Sequence, residues 1–117
     1  MNLQECYEAF GGDYVGVMNR LPKEASIIKF LRKFAESDEF EKLIEAVKAN
    51  DLETVFATSH NLKGMSANLS ITEFSKSASD VCECVRGGEI MGDLASLVEK
   101  ASQDYAKTID AIKQLED

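Results

Sequence analysis

The chain has 117 residues, and its 13 Lys and Arg against 21 Asp and Glu give a formal net charge of −8. This length suits one domain with a continuous core and is too short for a nucleotide-binding fold plus a second module. The negative charge repels phosphate backbones and anionic lipid surfaces, so we expect neither nucleic acid nor membrane as a partner. No apolar run approaches the roughly 20 residues that cross a bilayer, and the first residues lack the basic start of a signal peptide. We therefore expect a cytoplasmic protein.

Two short helices are predicted at the N-terminus. Residues 2–9 have helical spacing, and Gly11 and Gly12 break the helix that they form. Asp13 then provides an N-cap for a second segment that runs to about Arg20.

Two further helices follow, each with an apolar stripe at helical spacing. The first begins near Pro22, which suits a helix entry, and the second begins at Asp38, which has the capping-box spacing to Glu41. Asn50 is a candidate C-terminal cap of the second helix, and whether that helix continues the first stays open. The stripes consist of Ile27, Phe30, Leu31 and Phe34 in the first helix, and of Phe40, Leu43, Ile44 and Val47 in the second.

Three longer helices complete the chain. Asp51 caps a helix over residues 52–69, and Thr72 caps the next one. That helix closes at glycines 87 and 88, and the last helix begins between residues 91 and 93 and runs almost to the end. The stripes of these last two helices consist of Phe74, Ala78, Val81 and Val85, and of Leu94, Val98, Ala101, Tyr105, Ile109 and Ile112.

The pattern is helical throughout. No segment alternates apolar and polar residues for long enough to form a strand, and the connections between the helices are short. The sequence therefore predicts an all-α fold, an antiparallel four-helix bundle with one or two short extra N-terminal helices. We expect one domain over residues 1–117, with the core of the bundle at about residues 25–115.

Metal, cofactor and nucleotide sites are not predicted. The three cysteines, Cys6, Cys82 and Cys84, form no C-x-x-C pair, and residues two apart on a helix point in nearly opposite directions. The sequence has no glycine-rich phosphate loop, no Walker motif and no haem, flavin or iron–sulfur signature. We therefore expect buried, reduced thiols, no bound metal or cofactor, and no ATP-dependent kinase activity in this domain alone.

The helix predicted over residues 52–69 contains the only histidine of the chain, His60. It is also unusually poor in charge, because Lys63 is the sole formally charged residue from position 54 to position 72. At 100° per residue, one side of this helix is apolar with small polar residues among the large ones. That side consists of Leu52, Val55, Phe56, Ser59, Leu62, Met65, Ser66 and Leu69.

The surface around His60 is predicted to be exposed and nearly bare. Ala57, Gly64 and Ala67 are its neighbours at helical spacing. Glycine inside a helix costs about 1 kcal/mol relative to alanine, so Gly64 indicates the close approach of either another protein or a neighbouring helix. The predicted docking face consists of Ala57, Asn61, Ala67 and Asn68.

The spacing of His60 and Lys63 suggests phosphate chemistry. A neutral imidazole has a free nitrogen lone pair, which attacks phosphorus without a separate general base. Lys63 lies one turn along the same side, where its ammonium offsets the charge of a phosphoryl group on the ring. Gly64 leaves room for that group and for the donor, and the scheme requires no pocket.

These residues resemble the histidine-containing phosphotransfer (HPt) domain of bacterial two-component phosphorelays, whose motif reads roughly H-x-L-K-G-x-x-x-x-L-G. Here residues 60–70 read His-Asn-Leu-Lys-Gly-Met-Ser-Ala-Asn-Leu-Ser. An A-x-x-x-x-D pattern at residues 46–51 and the Arg-Gly-Gly at residues 86–88 also look like that family. The resemblance covers most of residues 25–115, and Ser70 departs from it, since the family usually has glycine there.

The resemblance implies a phosphocarrier that accepts a phosphoryl group on His60 from a receiver-domain aspartyl phosphate and passes it to another receiver. The implied partners are response-regulator receiver domains and a hybrid sensor histidine kinase, with Mg²⁺ on the receiver. The carrier would be a monomer that forms a phosphohistidine intermediate and has no substrate pocket of its own. The alternative is a helical interaction module that binds a receiver or another helical partner without carrying phosphate.

Overall fold

The computed structural model describes residues 1–116, and α-helices are their only regular secondary structure. The helices are α1 (Leu3–Phe10), α2 (Tyr14–Arg20), α3 (Glu24–Glu36), α4 (Glu39–Lys48), α5 (Leu52–Asn68), α6 (Thr72–Cys84) and α7 (Leu94–Lys113). None of these helices is both long enough and apolar enough to span a membrane. The predicted all-α bundle with two short N-terminal helices is confirmed.

Helix α5 lies between α4 and α6, and α6 in turn packs against α7. Helices α4, α5 and α6 follow one another through short connections and pack side by side, so each runs antiparallel to the one before it. On one side of α5, the Asn61 amide donates a hydrogen bond of 2.7 Å to the carboxylate of Glu39, at the start of α4. On the other side, the Ser75 hydroxyl, near the start of α6, donates one of 3.3 Å to the backbone carbonyl of Lys63. The helix that contains His60 is thus held from both sides.

Helices α3 and α4 are separate, which answers the question that the sequence left open. The backbone is extended at Ser37, with φ of −66° and ψ of 141°, and α4 begins two residues later. The predicted stripes of both helices face the common core, with one exception. Phe30 is 41% exposed, so its assignment to the core is wrong.

The helix caps agree only in part with the predictions. Asp13 and Asp51 each accept a backbone hydrogen bond at the start of α2 and α5, as expected. Asn50 has the left-handed φ of 53° that is common just after a helix end. The side chain of Asp38 makes no capping hydrogen bond, and Thr72 is the first residue of α6, not its cap, so both of those predictions are wrong.

The two N-terminal helices are attached to the C-terminal end of α5. The buried Tyr7 hydroxyl donates a hydrogen bond of 2.6 Å to the carbonyl of Leu69. The backbone N–H of Asp13 donates one of 2.9 Å to the carbonyl of Ser70. These bonds fix the position where α5 ends.

Ser70 adopts a left-handed backbone with φ of 54°, a conformation that favours glycine. This is the position at which the family pattern has glycine. The guanidinium of Arg20 donates a hydrogen bond to the Ser70 hydroxyl and two more to the last carbonyls of α5, at residues 67 and 68. The serine side chain is therefore part of the contact that closes the helix.

Substitutions of Ser70 separate these two effects. Ser70→Ala removes the hydrogen bond and keeps the left-handed backbone, so we expect a loss of about 1 kcal/mol in the free energy of unfolding. Ser70→Gly loses the same bond but relieves about 1 kcal/mol of backbone strain, so its stability should lie close to that of the wild type. Urea denaturation measures both values. Equal destabilisation by the two variants would show that the left-handed backbone costs nothing here.

Candidate functional site

His60 lies on the exposed side of α5, opposite the buried residues Val55, Ser59, Leu62 and Ser66. Neither nitrogen of its ring forms a hydrogen bond with any other residue between positions 1 and 116. A neutral imidazole in this position offers its lone pair directly to an approaching molecule.

Gly64 lies one turn beyond His60 and is exposed as well. A Cβ atom added to this glycine would meet no atom within 4 Å. Of the two explanations that the sequence left open, close packing of a neighbouring helix is therefore wrong for the described residues. The glycine leaves open space beside the imidazole.

The predicted docking residues Ala57, Asn61, Ala67 and Asn68 are all exposed on the same helix as His60. They differ in what they contact. The Asn61 side chain is held by Glu39 of α4, and the backbone carbonyls of Ala67 and Asn68 accept hydrogen bonds from Arg20. The surface around His60 thus combines small side chains with groups that neighbouring elements hold in place.

Lys63 is half-buried at the edge of a shallow cleft between α5 and α6, which it lines together with Ser75, Ser79 and Asp80. Its ammonium forms no ion pair within the described part of the chain. The positive charge of Lys63 acts electrostatically on Glu83, whose pKa lies below the usual range. The main cause of that shift is the hydrogen bonding of Glu83 with Arg86, and the charge of Lys63 adds a smaller effect in the same direction.

Three residues near His60 were not predicted as part of the site. The ring of Phe56 lies nearly parallel to the imidazole, with centroids 6.0 Å apart and 14° between the planes. The guanidinium carbon of Arg86 lies 5.3 Å from the centroid of the Phe56 ring. Glu83 holds that guanidinium with hydrogen bonds of 2.9 and 2.6 Å. The four-residue spacing between Phe56 and His60 could have predicted the contact between their rings. The position of Arg86 beside Phe56 depends on the packing of α6, which the sequence alone does not show.

The cysteines lie in the core and not at this surface. All three thiols are buried, as expected, and burial raises the pKa of Cys6 to about 11. In the range that the structure covers, no group of three or more His, Cys, Asp or Glu side chains is arranged to hold a metal ion. That the domain works without a metal of its own stays a prediction.

A family model described as the Hpt domain matches residues 30–117. The match includes α4–α7 and the whole surface around His60, whereas α1 and α2 precede it. It confirms the resemblance seen in residues 60–70. No curated protein and no solved structure matches the chain significantly.

His60→Gln should leave the free energy of unfolding within about 0.5 kcal/mol of the wild-type value, because the ring is exposed and has no hydrogen bond to lose. Thermal and urea denaturation measure this value. Phe74→Ala, in the fully buried part of the core, should cost about 3–5 kcal/mol and serves as the comparison. A marked destabilisation by His60→Gln would indicate a structural histidine.

Proposed function

The chain belongs to the Hpt domain family, the phosphotransfer modules of phosphorelays, and we propose that it carries a phosphoryl group on His60 from one receiver domain to another. The observation that supports this most is the pair formed by His60 and Gly64. An imidazole without a hydrogen-bonded partner stands beside a helical glycine that no neighbouring helix needs. Both features suit a nucleophile that another protein must reach.

The proposed reaction begins at the aspartyl phosphate of a receiver. A nitrogen of the neutral imidazole forms a bond to phosphorus, the bond between phosphorus and the aspartyl oxygen breaks, and the carboxylate leaves with the electron pair. The proton on the other ring nitrogen then passes to solvent. The reverse sequence on a second receiver returns the imidazole. The receivers supply the Mg²⁺, and no step requires a metal on this chain.

Lys63 supplies the electrostatic part of this proposal. It lies three residues after His60, which puts it on the same side of α5. Because its ammonium forms no ion pair among residues 1–116, it is free to turn toward a phosphoryl group on the ring. Positioning and charge compensation are the main contributions that a protein makes to phosphoryl transfer, so this site needs no enclosed pocket.

The proposal is tested with receiver domains carrying a radioactive aspartyl phosphate, mixed with the protein and Mg²⁺. We expect label on His60 that is stable in base and labile in acid, and none on the His60→Gln variant. If a panel of receivers that includes the native partner leaves no label, the carrier function is wrong. Binding of those receivers without transfer would then support the interaction module.

Lys63→Ala should slow the transfer from a receiver about tenfold, which corresponds to about 1.4 kcal/mol of lost charge compensation. The measurement is the initial rate of labelling at fixed receiver concentration. Lys76→Ala is the comparison, because it removes the same charge from the other wall of the cleft, where the ammonium of Lys76 is already paired with Asp80 at 3.2 Å. Equal rates for both variants and the wild type would contradict the role of Lys63.

Gly64→Ala should change stability and transfer in opposite directions. The added methyl group meets nothing in the free protein, so we expect about 0.5–1 kcal/mol of extra stability from the better helix former. The same methyl group narrows the space beside His60, so labelling by a receiver should slow. Denaturation and labelling rates are measured on one preparation. Undiminished transfer would show that the partner does not need this space.

A further inference from the structure

The ring of Phe56 lies against the ring of His60. It lies one turn earlier on α5, with the two rings nearly parallel and their centroids 6.0 Å apart. Phe56 is half-buried and packs against the core, whereas His60 is exposed. Offset parallel rings at this distance attract each other weakly. The contact therefore links the Phe56 ring, which the core restrains, to the His60 ring, which would otherwise rotate in solvent.

Arg86, in the turn that follows α6, restrains Phe56. Its guanidinium carbon lies 5.3 Å from the ring centroid, within the range of a cation–π contact. Glu83 accepts two hydrogen bonds from that guanidinium and so fixes its plane. Phe56 is thus held by its own helix, by the core and by a second element, which makes it a firm support for the imidazole.

We infer that Phe56 is a positioning residue for His60, an inference that rests on the proposed function. An exposed histidine samples several combinations of its two side-chain torsions. Stacking on Phe56 selects one of them, so that the same ring nitrogen faces the incoming phosphorus each time. The entropy cost of fixing the two side-chain torsions of His60 is therefore met in the free protein, before the phosphoryl donor binds. Phe56 itself touches neither the phosphoryl group nor the proton.

The test uses phosphoramidate, a small donor that needs no docking surface. In this reaction an imidazole nitrogen bonds to phosphorus, the phosphorus–nitrogen bond of phosphoramidate breaks, and the ammonia that leaves takes up the proton released by the imidazole. We expect Phe56→Leu to be labelled about fivefold more slowly than the wild type, because it loses the aromatic contact but keeps an apolar side chain. Phe56→Tyr keeps the ring and should keep the rate.

A second readout reports the position of the ring without any reaction. His60 is the only histidine, so its NMR signals are assigned without ambiguity. The couplings between its α and β protons should show one rotamer in the wild type and in Phe56→Tyr, and averaged rotamers in Phe56→Leu. Met65→Leu, at another half-buried apolar position of α5, is the matched control and should change neither the couplings nor the rate.

The outcomes separate the two proposals. A folded Phe56→Leu protein with the wild-type rate or a single His60 rotamer would overturn the role of Phe56 and leave the carrier function standing. If Phe56→Leu does not fold, Arg86→Gln takes its place, since that side chain is exposed. It should slow labelling about twofold, and an unchanged rate and rotamer would overturn the proposal. A wild-type protein that neither phosphoramidate nor any receiver labels would instead contradict the carrier function itself.

Discussion

Buried hydroxyl groups that bond to their own helix allow α5 to pass between α4 and α6. Thr58, Ser59 and Ser66 are buried, and each donates a hydrogen bond of 2.6–2.7 Å to the carbonyl four residues earlier. A buried hydroxyl without a partner costs about 1–3 kcal/mol. Here the preceding turn provides that partner, so no neighbouring helix has to. Small polar side chains can therefore lie on the buried side of α5 without the free-energy cost of an unpaired hydroxyl. Helices α4 and α6 pack against α5 from its two sides.

Packing does not explain the residues on the exposed side of the same helix. Gly64 weakens the helix, and the open space at its Cβ position shows that packing does not require it. A local choice that costs stability without any benefit to the fold indicates a function outside the fold. His60 beside it has no structural hydrogen bond within residues 1–116. Among the described residues, the packing of the bundle requires neither the glycine at position 64 nor the exposed histidine at position 60.

Helical periodicity predicted most of the two sides of α5, because the angle between residues depends only on the local backbone. The buried Thr58 was missed. Helical periodicity cannot predict contacts between segments that are distant in the sequence. Arg20 and Ser70 meet because α2 folds back over the end of α5, and a serine at a left-handed position reads from sequence only as a missing glycine. Phe56 was correctly placed toward the core, but its contact with Arg86 depends on how α6 ends. The assignment of Phe30 to the core was wrong for a similar reason. Residue spacing shows which side of α3 is apolar, but it does not show how much of that side the core covers.

Both ends of α5 are fixed, and this bears on how the proposed carrier would work. Asp51 caps its first turn, and Tyr7 bonds to the backbone just beyond its last turn. A nucleophile on such a helix is held more accurately than one on a loop. The backbone then leaves only the two side-chain torsions of His60 unsettled, and these are the torsions that stacking on Phe56 restrains. In the proposed mechanism, an exposed site of this kind would in this way meet the demand for orientation that phosphoryl transfer makes.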